Sequence, residues 1–266
     1  MRYFINLGYD GSNYSGWQRQ KNVQKTVQEV IEKTLLKIFK KKITVYGCGR
    51  TDAGVHASQY VLHINLDEVP VFDLKFRLNK NLPDDIAIFE IIEVAENQHA
   101  RYAATARSYD YFIHWKKDPV LFQHSSFYEN LGLMLNFDLM KKAAALILKT
   151  KDFKAVCKQP NLHESTLCEI KKSELFVDEE QGRLRFSITS NRFLRGMIRY
   201  CIFFLLEIGK GKMTLEEFEQ ILNQKNTLVK KIPAYPNGLF LSSIEYSFLE
   251  LKNSHHLITM LKVGLE

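Results

Sequence analysis

The sequence predicts an α+β protein made of two α+β halves, and three observations carry that prediction. The chain opens with the order strand, helix, strand, strand. Its later part alternates helices with a β-hairpin and ends on a strand. Length sets the scale: 266 residues suit one large domain or two small ones. With no internal repeat, low-complexity tract or Pro/Gly-rich linker to mark a boundary, the halves are set at residues 1–105 and 106–266.

In order, YFINLGY (Tyr3 to Tyr9) has the β-branched and aromatic content of a strand, and DGSNYSG supplies turn residues after it. Val27, Val30, Ile31, Leu35, Ile38 and Phe39 then recur at helical spacing. Thr26 and Glu29 form a capping-box pattern at the start of that helix. The run Lys40 to Lys42 lies where cations complement the helix dipole. ITVYG from Ile43 reads as a second strand, and YVLHINL from Tyr60 as a third after a glycine-bearing loop.

RSYDYFIHW around Tyr109 alternates as a strand, and DLMKKAAALILK from Asp138 is rich in helix formers. LCEIKKSELFV and RLRFSIT read as a hairpin turning at Asp178 to Gly182. A helix is expected from Phe193 to Ile208, and a second, capped by Thr214 with Glu217, through Leu222. GLFLSSIEY from Gly238 closes the chain's ordered pattern after Pro233 and Pro236.

Composition narrows the function. A content of 45% hydrophobic and 25% charged residues is that of a folded globular protein. A net charge of +7 favours an anionic partner, because Lys and Arg gain free energy by releasing counterions from a phosphate backbone. Cys48, Cys157, Cys168 and Cys201 are scattered, with no CxxC pair, so no metal is expected and structural thiols in a reducing compartment are the simpler reading. The start MRYFINLGYDG lacks the plan of a signal peptide, and CIFFLLEIG is too short to cross a bilayer. A cytoplasmic protein away from membranes is therefore expected.

One segment stands out. GCGRTDAGVHASQ, Gly47 to Gln59, gathers three glycines with Arg50, Thr51, Asp52 and His56 in a loop between two predicted strands. Glycines admit close approach of a ligand, and loops held by rigid strands are where catalytic groups gather. An isolated Asp in such a loop more often caps its own turn.

The wider pattern favours chemistry, because GRTDAGVHA resembles the signature of TruA family pseudouridine synthases. YDGSNYSGWQRQ (Tyr9 to Gln20), TVQE, NLPDDIAI (Asn81 to Ile88), HARYAATARSYDY (His99 to Tyr111), NRFLRGMIR (Asn191 to Arg199) and GLFL extend the resemblance, in family order, over nearly the whole chain.

The resemblance implies a fold of two similar α+β halves around a continuous antiparallel sheet with flanking helices. In that fold residues 1–105 carry the catalytic loop, and residues 106–266 complete an RNA-binding cleft. It also implies a homodimer that binds tRNA and isomerises uridine to pseudouridine at positions 38, 39 and 40 of the anticodon stem-loop, with no cofactor and no metal. By the same resemblance Asp52 is the nucleophile or base, and Arg199 its ion-pair partner. Tyr109 is the aromatic that stacks on the target uracil, and Arg50 is the substrate-side arginine.

Those roles make physical sense. A nearby guanidinium favours the ionised form of a carboxylate in a dry pocket. A tyrosine face offers about 1 to 3 kcal/mol of stacking per base. Apolar Met197, Ile198, Ile202 and Leu205 around Arg199 suggest a buried helical face, where a charge needs a carboxylate. Glu207 lies two turns away, too far for a helical pair, so Asp52 is the better partner.

The sequence also departs from the family pattern. Tyr200 replaces a usual Asn, Phe203 a usual Gly, and DFKAVCK (Asp152 to Lys158) a DFTSF-like stretch. A catalytically weak or inactive RNA-binding protein or RNA chaperone on the same scaffold is the rival reading. A zinc deaminase would need HxE with PCxxC, which the chain lacks, and a glycosidase would need a second carboxylate that stands out.

Overall fold

The computed structural model describes residues 1–20, 25–129, 131–133, 135–223 and 231–251. The chain divides into two compact units: Met1–Arg107 with the returning chain from Phe240, and Ser108–Leu239. The closing strand thus counts with the first unit, a grouping that a contiguous division near residue 105 does not contain.

In the first unit, β1 (Arg2–Tyr9) lies between β3 (His56–Asn65) and β4 (Ile86–Val94), antiparallel to both. β2 is only Tyr46–Gly47, pairing with β3 at His63 and Leu62. The longer strand expected from Ile43 is absent: the Val45 carbonyl accepts from the Gln28 side chain at 3.1 Å and its N–H donates to Glu32 Oε1 at 3.5 Å, so these groups do not join the ladder. β9 (Leu239–Tyr246) adds to β3 in parallel through His56↔Phe240 and Ala57↔Leu241.

Helix α1 (Val27–Phe39) starts at Thr26, whose hydroxyl accepts from the Glu29 N–H, and buries Val27, Ile31, Thr34 and Leu35. It stops at Lys40, which adopts the left-handed conformation at φ 56°. Lys41 pairs with Asp67 at 2.6 Å. In this unit β4 and helix α2 (Leu74–Asn81), capped by Asp73, have no counterpart among the elements the sequence predicts. Asn79 on α2 bonds both the N–H and the C=O of Ile88, which occupies backbone groups of β4.

Strand β5 (Ala104–His114) begins in the first unit, where Thr105 Oγ1 donates to the Glu245 carbonyl, and continues in the second. There it neighbours β8 (Arg183–Ser190), which forms an antiparallel hairpin with β7 (Ile170–Asp178) as the sequence predicts. β6 (Ser126–Phe127) pairs with the end of β5. Helix α3 (Phe137–Lys149) packs on β7 and on α4 (Met197–Gly209). α5 (Leu215–Leu222) carries a complete Thr214/Glu217 capping box.

α4 begins later than the apolar pattern suggests, because Gly196 stands in front of it at φ 71°. Its Cys201, Ile202, Phe204, Leu205 and Ile208 are buried, so CIFFLLEIG is core. Among the described residues no helix is long and apolar enough to cross a membrane. The architecture is α+β with mostly antiparallel strands, the class the sequence predicts.

Candidate active site

The loop from Cys48 to Val55 joins β2 to β3, and its backbone is held at almost every step. The Cys48 N–H continues the ladder to the Val61 carbonyl at 2.8 Å. The Tyr60 hydroxyl donates to the Gly49 carbonyl at 2.6 Å, with its ring stacked on Trp17 at 3.9 Å between centroids. The Tyr9 hydroxyl and Thr51 Oγ1 lie 2.8 Å apart, and the Trp17 N–H donates to the Thr51 carbonyl at 3.2 Å. Val55 N–H returns to the Asp52 carbonyl at 3.2 Å, closing a turn around the aspartate.

The YDGSNYSGWQ segment explains itself as the clamp on that loop. Gly11 runs so close to Val55 that a Cβ would lie 2.0 Å from the Val55 carbonyl oxygen. Gly16 combines φ 90° with a site where a Cβ would lie 2.5 Å from the Thr51 carbonyl oxygen, so only glycine fits. The segment is fixed in turn by NLPDD: Asp10 N–H donates to the Asp85 carbonyl at 2.9 Å, and the Tyr14 hydroxyl donates to the Asp85 carboxylate. Burial and that carboxylate push the Tyr14 hydroxyl pKa up, so it remains a donor.

His56, fully buried, stacks on Phe240 at 4.5 Å; its Nδ1 is 3.1 Å from the Gly11 N–H and 3.0 Å from Asp10 Oδ1. On this frame Asp52 is half-buried and Arg50 is exposed.

A residue with no sequence assignment completes the frame. Arg107 Nη2 donates to the Cys48 carbonyl at 2.8 Å and to the Arg101 carbonyl at 2.7 Å, with Nε also 3.3 Å from the Cys48 oxygen. One guanidinium therefore fastens the Asp52 loop to the HARYAA loop. The signal in the sequence was its place in HARYAATARSYDY, but nothing there names carbonyls as its partners.

In the second unit, Tyr109 of β5 is 8% exposed and meets Phe193 edge-on, with centroids 5.1 Å apart at 81°. Arg199, in the first turn of α4, is half-buried rather than on the fully buried face expected. Met197, Ile198, Ile202 and Leu205 fill that face. Arg199 Nε donates to the Ala234 carbonyl at 2.6 Å, and its own carbonyl accepts the Ala234 N–H at 3.1 Å. Its charge opposes the rise that burial imposes on the Tyr111 and Tyr128 hydroxyls. Glu207 pairs with Lys210 at 3.3 Å.

Asp52 and Arg50 thus stand in the first unit, Tyr109 and Arg199 in the second. At the departures from the family pattern, Tyr200 lies 3.3 Å from where a Gly196 Cβ would stand, Phe203 meets Phe204 edge-on at 5.2 Å, and Phe153 and Val156 are fully buried. Burial pushes the Cys168 and Cys201 thiols up to about 11 and about 12, so both stay protonated near neutral pH.

An aspartate held in a glycine-clamped loop, in an α+β fold, is the setting that the sequence resemblance implies for an RNA-modifying isomerase. The chain belongs to the tRNA pseudouridine synthase family, whose model matches residues 7–103 and 143–247. Among individual proteins, the chain is 39% identical to tRNA pseudouridine synthase A of Azobacteroides pseudotrichonymphae genomovar. CFP2, over 95% of this chain and 99% of that one. It is 38% identical to the same-named protein of Bacteroides thetaiotaomicron over 100% and 99%. It is 33% identical to that of Streptococcus mutans over 92% and 99%.

Proposed function

We propose that this protein isomerises uridine to pseudouridine in the anticodon stem-loop of tRNA, at positions 38, 39 and 40, as a cytoplasmic homodimer. Asp52 is the nucleophile or base and Arg199 its ion-pair partner. Tyr109 is the aromatic that stacks on the target uracil, and Arg50 is the arginine on the substrate side. The observation that carries the reading is the Asp52 loop. Its backbone is fixed by Trp17, Tyr60 and Arg107, and its Thr51 hydroxyl by Tyr9, while the aspartate itself stays half-exposed, which is how a reactive group is held ready for substrate.

In the reaction the bond from N1 to the sugar carbon breaks, the base turns, and C5 bonds to that carbon. The C5 proton leaves and N1 gains one, so the formula is unchanged. Asp52 either attacks the sugar carbon to give a covalent intermediate or removes a sugar proton to give a glycal. Either route needs the uridine out of its stack, and removing it costs a few kcal/mol.

The test is to incubate an unmodified tRNA transcript with wild type, Asp52→Asn and Asp52→Ala, and to map pseudouridine by chemical labelling. Both variants are expected to bind tRNA within a few-fold of wild type, because phosphate contacts dominate affinity, and to form no product. Full activity in either removes Asp52 from the chemistry. Tight binding without product in wild type would instead establish the non-catalytic RNA-binding reading.

A further inference from the structure

Behind the Asp52 loop, the first unit carries a stack of rings that the reaction does not use. Tyr46 lies flat on His63, with centroids 4.8 Å apart at 11°. His63 meets His99 at 4.5 Å, and His99 meets Tyr102 at 4.5 Å. His63 is buried and His99 half-buried, whereas Tyr102 is 76% exposed. The Arg101 guanidinium lies 5.5 Å from the Tyr102 ring centroid and, among the described residues, makes no ion pair.

Isolated exposed aromatics are ordinary. This one differs in its support. The His63 and His99 Nδ1 atoms accept the N–H groups of Ala100 and Arg101, at 3.3 and 3.1 Å. The Ala100 carbonyl accepts the Tyr246 hydroxyl at 2.7 Å, the Arg101 carbonyl accepts Arg107, and the Ala103 N–H donates to the His99 carbonyl at 2.9 Å. The backbone from His99 to Ala103 is therefore fastened at each of these points. Burial and neighbouring cations push both histidines' pKa down, keeping the rings uncharged and their Nδ1 atoms acceptors.

We propose that Tyr102, backed by His99 and flanked by Arg101, is a stacking platform for one unpaired nucleobase of the RNA substrate, separate from the uridine that is isomerised. A flat aromatic face beside a guanidinium is the chemistry that recognises a base, because every base has a π-face and the adjoining phosphate is anionic. A loop already ordered adds little entropic cost on binding. Arg107, which holds both this loop and the Asp52 loop, keeps the platform in fixed relation to the catalytic group. The chain's charge of +7 favours a nucleic-acid occupant over an acidic-patch-seeking or apolar protein surface.

The inference rests on the tRNA reading, and the experiment separates the two. Unmodified tRNA transcript is titrated against wild type, Tyr102→Phe, Tyr102→Ala and Arg101→Gln at several salt concentrations. Multiple-turnover kinetics and circular dichroism are run alongside. Wild type that neither binds nor modifies tRNA sinks both readings.

If wild type does bind, Tyr102→Ala is expected to weaken Kd by roughly 5- to 100-fold and Tyr102→Phe by less than about 2-fold. The loss should appear in KM, and the slope of log affinity against log salt should be unchanged, because no phosphate contact is removed. Arg101→Gln should weaken binding and flatten that slope by about one unit. Wild-type Kd in Tyr102→Ala overturns the platform. Equal losses in Phe and Ala, a flattened slope in Tyr102→Ala, or a loss confined to kcat would each do the same by assigning the ring another role.

Discussion

Replacing Arg107 with Met tests how far the Asp52 loop depends on one guanidinium. The substitution keeps most of the side-chain length and removes the donors to the Cys48 and Arg101 carbonyls. Arg101 lies on an exposed stretch, where water replaces the lost donor at little cost. Cys48 is 0% exposed, so its carbonyl loses a charged donor without a ready substitute. A hydrogen bond to a charged group contributes about 1.5 to 3 kcal/mol, and stranding a buried acceptor is the same loss seen from the other partner, so a net loss of about 1.5 to 3 kcal/mol is expected.

The loop should also shift relative to its clamp, and a displacement of about 1 Å lowers a rate on the order of 100-fold. Lys keeps the charge but not the fork that spans two carbonyls, and should recover less than half of either loss. Urea unfolding gives the stability and tRNA turnover the rate. An Arg107→Met protein within about 0.5 kcal/mol of wild type, with wild-type kcat/KM, would show that the guanidinium positions nothing.

Two further perturbations follow from the same frame. Gly11→Ala places a methyl 2.0 Å from the Val55 carbonyl oxygen, a backbone atom that cannot swing away, so it should cost at least about 2 kcal/mol in urea unfolding and lower activity with it; wild-type stability would refute that packing. His63 has its pKa pulled down to about 3, chiefly by burial, so the unfolded chain binds a proton below about pH 6.5 that the folded one refuses. Its share of stability, full above pH 6.5, should be lost toward pH 3 at up to about 1.4 kcal/mol per unit, and His63→Phe should remove that share of the slope. An unchanged slope between pH 6 and 4 would show that His63 titrates normally.

The elements legible in the sequence were those whose signals are local. Thr26 and Thr214 announce their helices because a cap is made within three residues, and β7 with β8 declares itself through a four-residue connection and alternation. β2 shrank because strand residues form a strand only where a partner's backbone reaches them, and at Ile43 and Val45 none does. Arg199 illustrates the limit of a helical wheel: apolar neighbours fix a direction, but in the first turn of α4 the side chain reaches toward Ala234 and keeps part of its surface in solvent.

At the candidate site, glycine density is what singled out the loop that carries Asp52 and Arg50. Arg107 was not found. Its partners are carbonyl oxygens, which every residue carries, and one of them lies 59 positions away. A strand arginine with such partners has the same sequence signature as one in solvent.

The parallel seam between β3 and β9 also sets a timetable. Gln59 Oε1 accepts the Ile244 N–H at 2.9 Å across 185 residues, and His56 receives its stacking partner Phe240 from the same late strand. At about 5 to 20 residues per second, the ribosome delivers that strand roughly 10 to 40 s after the aspartate loop has been made. During that interval the Asp52 loop stands on an unfinished support. Completion of that support therefore waits for β9, and a truncated translation product lacking β9 leaves His56 and Gln59 without these partners.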